Sequence, residues 1–148
     1  MNAIADMTAI DLAAAIRIRN ISPVEAVEAA LARIEERREL NAFITICSER
    51  SRAEARHAET AIARGAALGP LHGIPFSVKD LTNTAGVATT QGSALFADHM
   101  PAADAVAVAR ARARSLLQIV VIFSPASRSP SRRACSTPSA ESGTSVCP

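Results

Sequence analysis

The sequence predicts an α/β fold, with helices over residues 8–64 and a half-buried extended segment at residues 74–79. Three observations carry this reading. Ser22-Pro23-Val24-Glu25 is a helix-start signal in which Ser occupies the N-cap, Pro the first helical position and Glu the third. Apolar residues after it recur every three or four positions, whereas from Ile74 onward the spacing drops to two. At 148 residues with 49% hydrophobic content, the chain is long enough for one ordinary domain with a core.

The elements follow in order. Thr8-Ala9-Ile10-Asp11 resembles a capping box, and Leu12, Ala15, Ile16 and Arg19 continue a short amphipathic helix that Asn20 can stop. After Ser22, the residues Val24, Val27, Leu31 and Ile34 share one helical face, and Glu35 to Arg38 form a solvated end. The apolar, partly β-branched run Asn41–Cys47 is a strand or an extended connector. From Ser48 to Arg64 the Ala, Glu and Arg content returns to helix, with Gly65 placed to end it.

Gly69-Pro70 and His72-Gly73 supply a turn. The strand after it sets Ile74, Phe76 and Val78 against Pro75, Ser77 and Lys79. A last helix is expected from Ala103 to about Arg114, its arginines at 110, 112 and 114 spread around the axis rather than forming a basic stripe.

Past Arg114 the composition changes. Residues 115–148 are rich in Ser, Pro and Arg, hold a single acidic residue, Glu141, and contain two of the three cysteines, Cys135 and Cys147. Such a bias reads as a disordered tail. Within it, Leu116–Phe123 is uncharged and β-prone, an aggregation-prone segment too short to cross a bilayer.

Several function classes are excluded. A net charge of +2, no Trp or Tyr to stack on bases and no basic cluster argue against nucleic-acid binding. His57, His72 and His99 have no ligand-spaced partners, and the cysteines form no C-x-x-C, so no metal or redox site is expected. An odd cysteine count and the lack of a secretory n-region point to a reducing, cytoplasmic setting without membrane association.

The candidate functional residue is Lys79, the only lysine in the chain; every other cationic side chain of the Lys/Arg pair is arginine. Lysine can lose its proton and act as a base, whereas arginine stays charged. A lone lysine beside Phe76 and Val78 at a strand end therefore marks a position that needs what arginine cannot do.

The run Gly69-Pro70-Leu71-His72-Gly73-Ile74-Pro75-Phe76-Ser77-Val78-Lys79-Asp80, then Ala85-Gly86-Val87-Ala88-Thr89-Thr90-Gln91-Gly92-Ser93 and Asp104-Ala105, resembles the first block of the amidase signature family, in the family's order. The resemblance implies helices packed on a mixed sheet, hydrolysis of amide bonds by a Ser, cis-Ser, Lys triad with Lys79 as its lysine, and no cofactor. It gives Ser77, Ser93 and Thr89-Thr90 no catalytic role.

The triad serines belong on a Gly-Gly-Ser-Ser type of stretch, which lets backbone N–H groups reach a tetrahedral oxyanion. No such stretch occurs here; Ser142-Gly143-Thr144-Ser145 lacks the paired glycines. The family pattern also continues after the helix near Ala113 with an Ala-Gly turn, a buried strand and a Gly-Lys-Thr segment, and none of that is read in this sequence. The expectation is thus residues 1–114 as the N-terminal part of an amidase domain and 115–148 as a non-family tail, read out of frame from about codons 113 to 116.

As written, such a fragment is expected to be inactive, its intact parent acting on a small-molecule amide. Two alternatives stay open: the amidase-like subunit of a glutamyl-tRNA amidotransferase, or a non-enzymatic helical interaction module built from residues 8–64. Nothing in the sequence sets the oligomeric state or the amide substrate.

Overall fold

The computed structural model describes residues 3–114, 117–122 and 133–134. After a single 3₁₀ turn at Ala3–Asp6, helix α1 spans Ala9–Arg17, capped by Thr8, whose hydroxyl accepts the Asp11 N–H at 3.1 Å. Arg19 takes the left-handed conformation (φ 61°) and ends the helix one residue before the expected Asn20. Helix α2, Pro23–Glu36, starts with the complete reciprocal box. The Ser22 hydroxyl accepts the Glu25 N–H at 3.0 Å, and the Glu25 carboxylate accepts the Ser22 N–H at 2.7 Å.

The Asn41–Cys47 run resolves as strand β1, Phe43–Ile46, leading into helix α3, Ser48–Ala63, which Gly65 follows in the left-handed region. Strand β2 is Pro75–Lys79. Helix α4 covers Val106–Ala113, three residues shorter at its start than the sequence suggests. The Ala105 N–H is used by the Asn83 carbonyl at 2.8 Å, and the Asp104 carboxylate turns to the Ala85 N–H rather than capping the helix.

Past Arg114 the described residues include two strands. Leu117–Ile122 forms strand β3, and a two-residue strand β4, Arg133–Ala134, lies at the far edge. The four strands run in the order β2-β3-β1-β4. β3 is parallel to β2 and antiparallel to β1, and β4 is parallel to β1, so the sheet is mixed. The uncharged, β-branched character that made this segment look aggregation-prone is what a strand flanked on both sides requires. The rest of the expected disordered tail, residues 115–116, 123–132 and 135–148, lies outside the described residues.

Two apolar clusters hold the helices together. Val27 and Ile34 of α2 meet Ala55 and Ala58 of α3, with Phe43 and Ile46 of β1 packed against them. Leu12 and Ile16 of α1 meet Ala26, Ile62 and Ile74, with Leu71 alongside. Ile74 thus ties the start of β2 to three helices, which fixes where the strand's other end, and Lys79, emerges.

Candidate functional site

Lys79 is the last residue of β2. The pleat sorts the strand as its period demands: Ile74 and Val78 are buried, while Ser77 and Lys79 are exposed. Among the described residues no side chain hydrogen-bonds or ion-pairs with the Lys79 ammonium. Ser77 stands two residues away on the same side of the strand, but no hydrogen bond links it to Lys79.

Asp80, the next residue, is completely buried. A buried carboxylate must be hydrogen-bonded to persist, and three donors meet this one. The Thr90 N–H donates at 2.7 Å, the Thr90 hydroxyl makes a short bond, and the Gly92 N–H donates at 3.2 Å. The Asp80 carbonyl also accepts the Gln91 N–H at 3.2 Å.

These bonds hold a tight turn, closed by the Ser93 N–H on the Thr90 carbonyl at 2.9 Å. Both central residues, Gln91 (φ 51°) and Gly92 (φ 71°), lie in the left-handed region, where glycine is at ease and glutamine is not. The Asp80 contacts hold Gln91 there. The segment Thr89–Ser93 is thereby fastened to the residue that follows Lys79.

The stretch between is fastened too. Thr84 and Val87 form an antiparallel bridge, the Gly86 N–H reaches the Pro101 carbonyl at 3.1 Å, and the Thr89 N–H reaches the His99 carbonyl at 3.0 Å. Ala85 is gripped from both sides: its N–H donates to Asp104 at 2.8 Å and its carbonyl accepts from Arg50 at 3.1 Å. Arg50 and Arg112 share the Glu54 carboxylate at 3.2 and 2.8 Å, joining α3 to α4 behind the loop.

The turn before β2 has its own anchor. His72 is buried, and its Nε2 lies 3.0 Å from the Ala58 carbonyl of α3, which requires the Nε2–H tautomer as donor. His57 and His99 are exposed, and no group of three metal-ligating side chains occurs among the described residues. No helix among them is long and apolar enough to cross a membrane. A cleft lined by Ile16, Arg19, Pro23, Glu25, Glu59 and Ile62 sits between α1, α2 and α3 and shares no residue with the Lys79 region.

The structure therefore brings Lys79, Asp80 and Thr89–Ser93 into one unit, while Ser142–Ser145 lies outside the described residues. In the sequence, Asp80 and Thr90 stand only as motif letters without a role. A signal for Asp80 is nevertheless there: it is the only acidic residue between Glu59 and Asp98, and it directly follows a strand end.

The family model described as Amidase matches residues 25–122, so the match runs past Arg114 and includes β3. Among curated proteins, a mitochondrial glutamyl-tRNA(Gln) amidotransferase subunit of Ornithorhynchus anatinus is 39% identical over 102 residues, covering 69% of this chain and 20% of the relative. Among solved structures, the native peptide amidase from Stenotrophomonas maltophilia superposes with a TM-score of 0.76 at 28% identity, covering 82% of this chain and 26% of that one. Fatty acid amide hydrolase gives a TM-score of 0.78 at 25% identity over 83% of this chain and 22% of that one. The chain spans about a fifth of the length of the curated relatives it matches.

Proposed function

Because the chain belongs to the amidase signature family, we propose that it supplies the lysine-bearing part of an amide hydrolase, with Lys79 as the base of a Ser, cis-Ser, Lys triad. The observation that supports this best is the position of Lys79. The only lysine, and so the one member of the Lys/Arg set able to shed a proton, stands exposed at the end of β2, on a backbone fixed by Ile74 at one end and Asp80 at the other.

In that role Lys79 takes a proton, through a bridging serine, from the serine that attacks the carboxamide carbon. Collapse of the tetrahedral intermediate releases ammonia or an amine and leaves an acyl-serine, which water then hydrolyses. Backbone N–H groups of the serine-bearing segment stabilise the oxyanion. No cofactor takes part in this scheme.

Neither serine is assigned within the 148 residues, so the reading includes inactivity of this chain by itself. Residues 1–114 are read as the N-terminal part of an amidase domain and residues 115–148 as a non-family tail, although the family match runs on to residue 122. The purified chain is expected to release no ammonia from benzamide above background, since losing an activated serine typically lowers the rate by about a millionfold. Turnover that disappears in Lys79→Ala would mean that a serine of this chain, such as Ser77 or Ser93, is the nucleophile, and would refute this part of the reading.

A second reading draws on the names of the relatives, several of which are amidotransferase subunits. In it the same chemistry acts on the amide of glutamine, in company with partner proteins. A reconstituted protein that prefers glutamine plus aminoacyl-tRNA to simple carboxamides would favour it.

A further inference from the structure

We propose that Asp80 is a positioning residue for Lys79: its buried carboxylate clamps the Thr90–Ser93 turn and thereby sets the direction in which the strand end presents the lysine. The proposal rests on the reading of Lys79 as the functional base and adds to it the residue and turn that hold that base in place.

Burial of a carboxylate needs compensation, and here all the compensation comes from one turn. Three donors from Thr90 and Gly92 converge on the Asp80 carboxylate, and its own carbonyl takes a fourth N–H from Gln91. Gln91 is kept in a conformation that a free chain rarely adopts. A surface loop held only for its own sake does not need a fully buried charge.

Successive residues of a strand point to opposite faces. Val78, buried inside the strand, sets Lys79 on the outward face, and the Asp80 side chain, locked inward on the first turn residue after β2, leaves Lys79 little freedom in its Cα–Cβ direction. The turn following the strand adds to this, since the Thr82 N–H closes on the Lys79 carbonyl at 2.9 Å. The clamp and the lysine are coupled through a single peptide unit.

The test uses the full 148-residue chain and needs no amide substrate. Thr90→Val removes the hydroxyl donor while leaving the carboxylate in place, Thr90→Ser keeps the donor, and Asp80→Asn removes the charge. Two quantities are followed. One is amide hydrogen exchange at Thr90 and Gly92; the other is the acetylation rate of Lys79 by a dilute acylating reagent, read at the peptide level by mass spectrometry, where the single lysine is unambiguous.

Thr90→Val is expected to speed exchange at both amides by about tenfold, the effect of one lost hydrogen bond, and to raise Lys79 acetylation by at least about threefold as the strand end gains orientations. Thr90→Ser should restore both. Asp80→Asn should follow Thr90→Val; if it fails to fold, Thr90→Val carries the test alone. Faster exchange with unchanged Lys79 acetylation would reduce Asp80 to a loop stabiliser and overturn the proposal, as would exchange that does not change. Carboxamide turnover that survives Lys79→Arg in a mixture reconstituted with a serine-bearing partner fragment would remove the base assignment and leave this outcome intact.

Discussion

Gly73 lies so close against Pro23 that a Cβ at position 73 would stand 2.9 Å from the proline Cγ. Its φ of +77° also belongs to the region that L side chains avoid. The turn that delivers β2 thus rests on the first residue of α2, which is itself fully buried. Gly73→Ala is expected to cost about 2–3 kcal/mol, combining backbone strain with a collision that a packed ring cannot relieve. Gly65→Ala is the control: its φ is +70° but nothing lies within 4 Å, so about 1 kcal/mol is expected. Urea denaturation of both variants checks this, and equal losses would show that the contact with Pro23 carries no energy.

Ser22→Ala should destabilise the protein by about 1 kcal/mol, because both halves of the capping box are formed and the Ser22 hydroxyl is the acceptor for the Glu25 N–H. Ser22→Asp, which keeps an acceptor at the N-cap, should recover most of the loss in thermal melts. An alanine variant as stable as the parent would mean that packing of α2 alone sets the helix start.

Much of this fold is legible in the sequence because its signals are local. Ser22-Pro23-Val24-Glu25 names a helix start by hydrogen-bond chemistry that needs no partner, and the drop in period at Ile74 names a strand in the same way. What the sequence hides depends on contacts distant along the chain. Asp104 reads as a helix opener, yet Ala85, nineteen positions earlier, claims its carboxylate. Leu117–Ile122 reads as an aggregation-prone run because its sheet neighbours, Phe43–Ile46 and Pro75–Lys79, come from far earlier in the chain. At the site, Lys79 is identifiable as the only lysine among arginines, whereas Asp80 gains a role only when Thr90 and Gly92 fold back onto it.

The pair Glu28–Arg52 joins α2 to α3 through two bonds, at 2.7 and 3.1 Å. The hydrogen bond from Arg52 holds the Glu28 carboxyl below its ordinary range, against a small opposing effect of burial. A carboxylate whose folded-state value is depressed contributes stability that is present above the unfolded value, about 4.3, and is lost as pH falls through the folded value. About half of the Glu28 side chain is exposed, so screening limits the contribution to a few tenths of a kcal/mol. Glu28→Gln should be slightly less stable than the parent at neutral pH and equal to it at strongly acidic pH. Chemical denaturation across that range checks it; a gap that widens on acidification would reverse the sign.

The Ser-, Pro- and Arg-rich composition past Arg114 has a test outside the protein. Translating the underlying nucleotide sequence from codon 113 onward in the other two frames is expected to give a Gly-Lys-Thr segment followed by Gly-Gly-Ser-Ser. If neither frame contains them, the change in composition is a property of the natural chain and the frame-shift explanation fails.

The central claim is that Lys79 is a base for amide hydrolysis, and complementation measures it most directly. The chain is mixed with a separately made polypeptide that carries the serine-bearing remainder of an amidase domain, and ammonia release from benzamide is followed. Turnover is expected in the mixture and in neither part alone, with Lys79→Arg abolishing it because arginine keeps the charge but cannot give up its proton. Turnover that survives Lys79→Arg in a reconstituted mixture would contradict the assignment of Lys79 as the base.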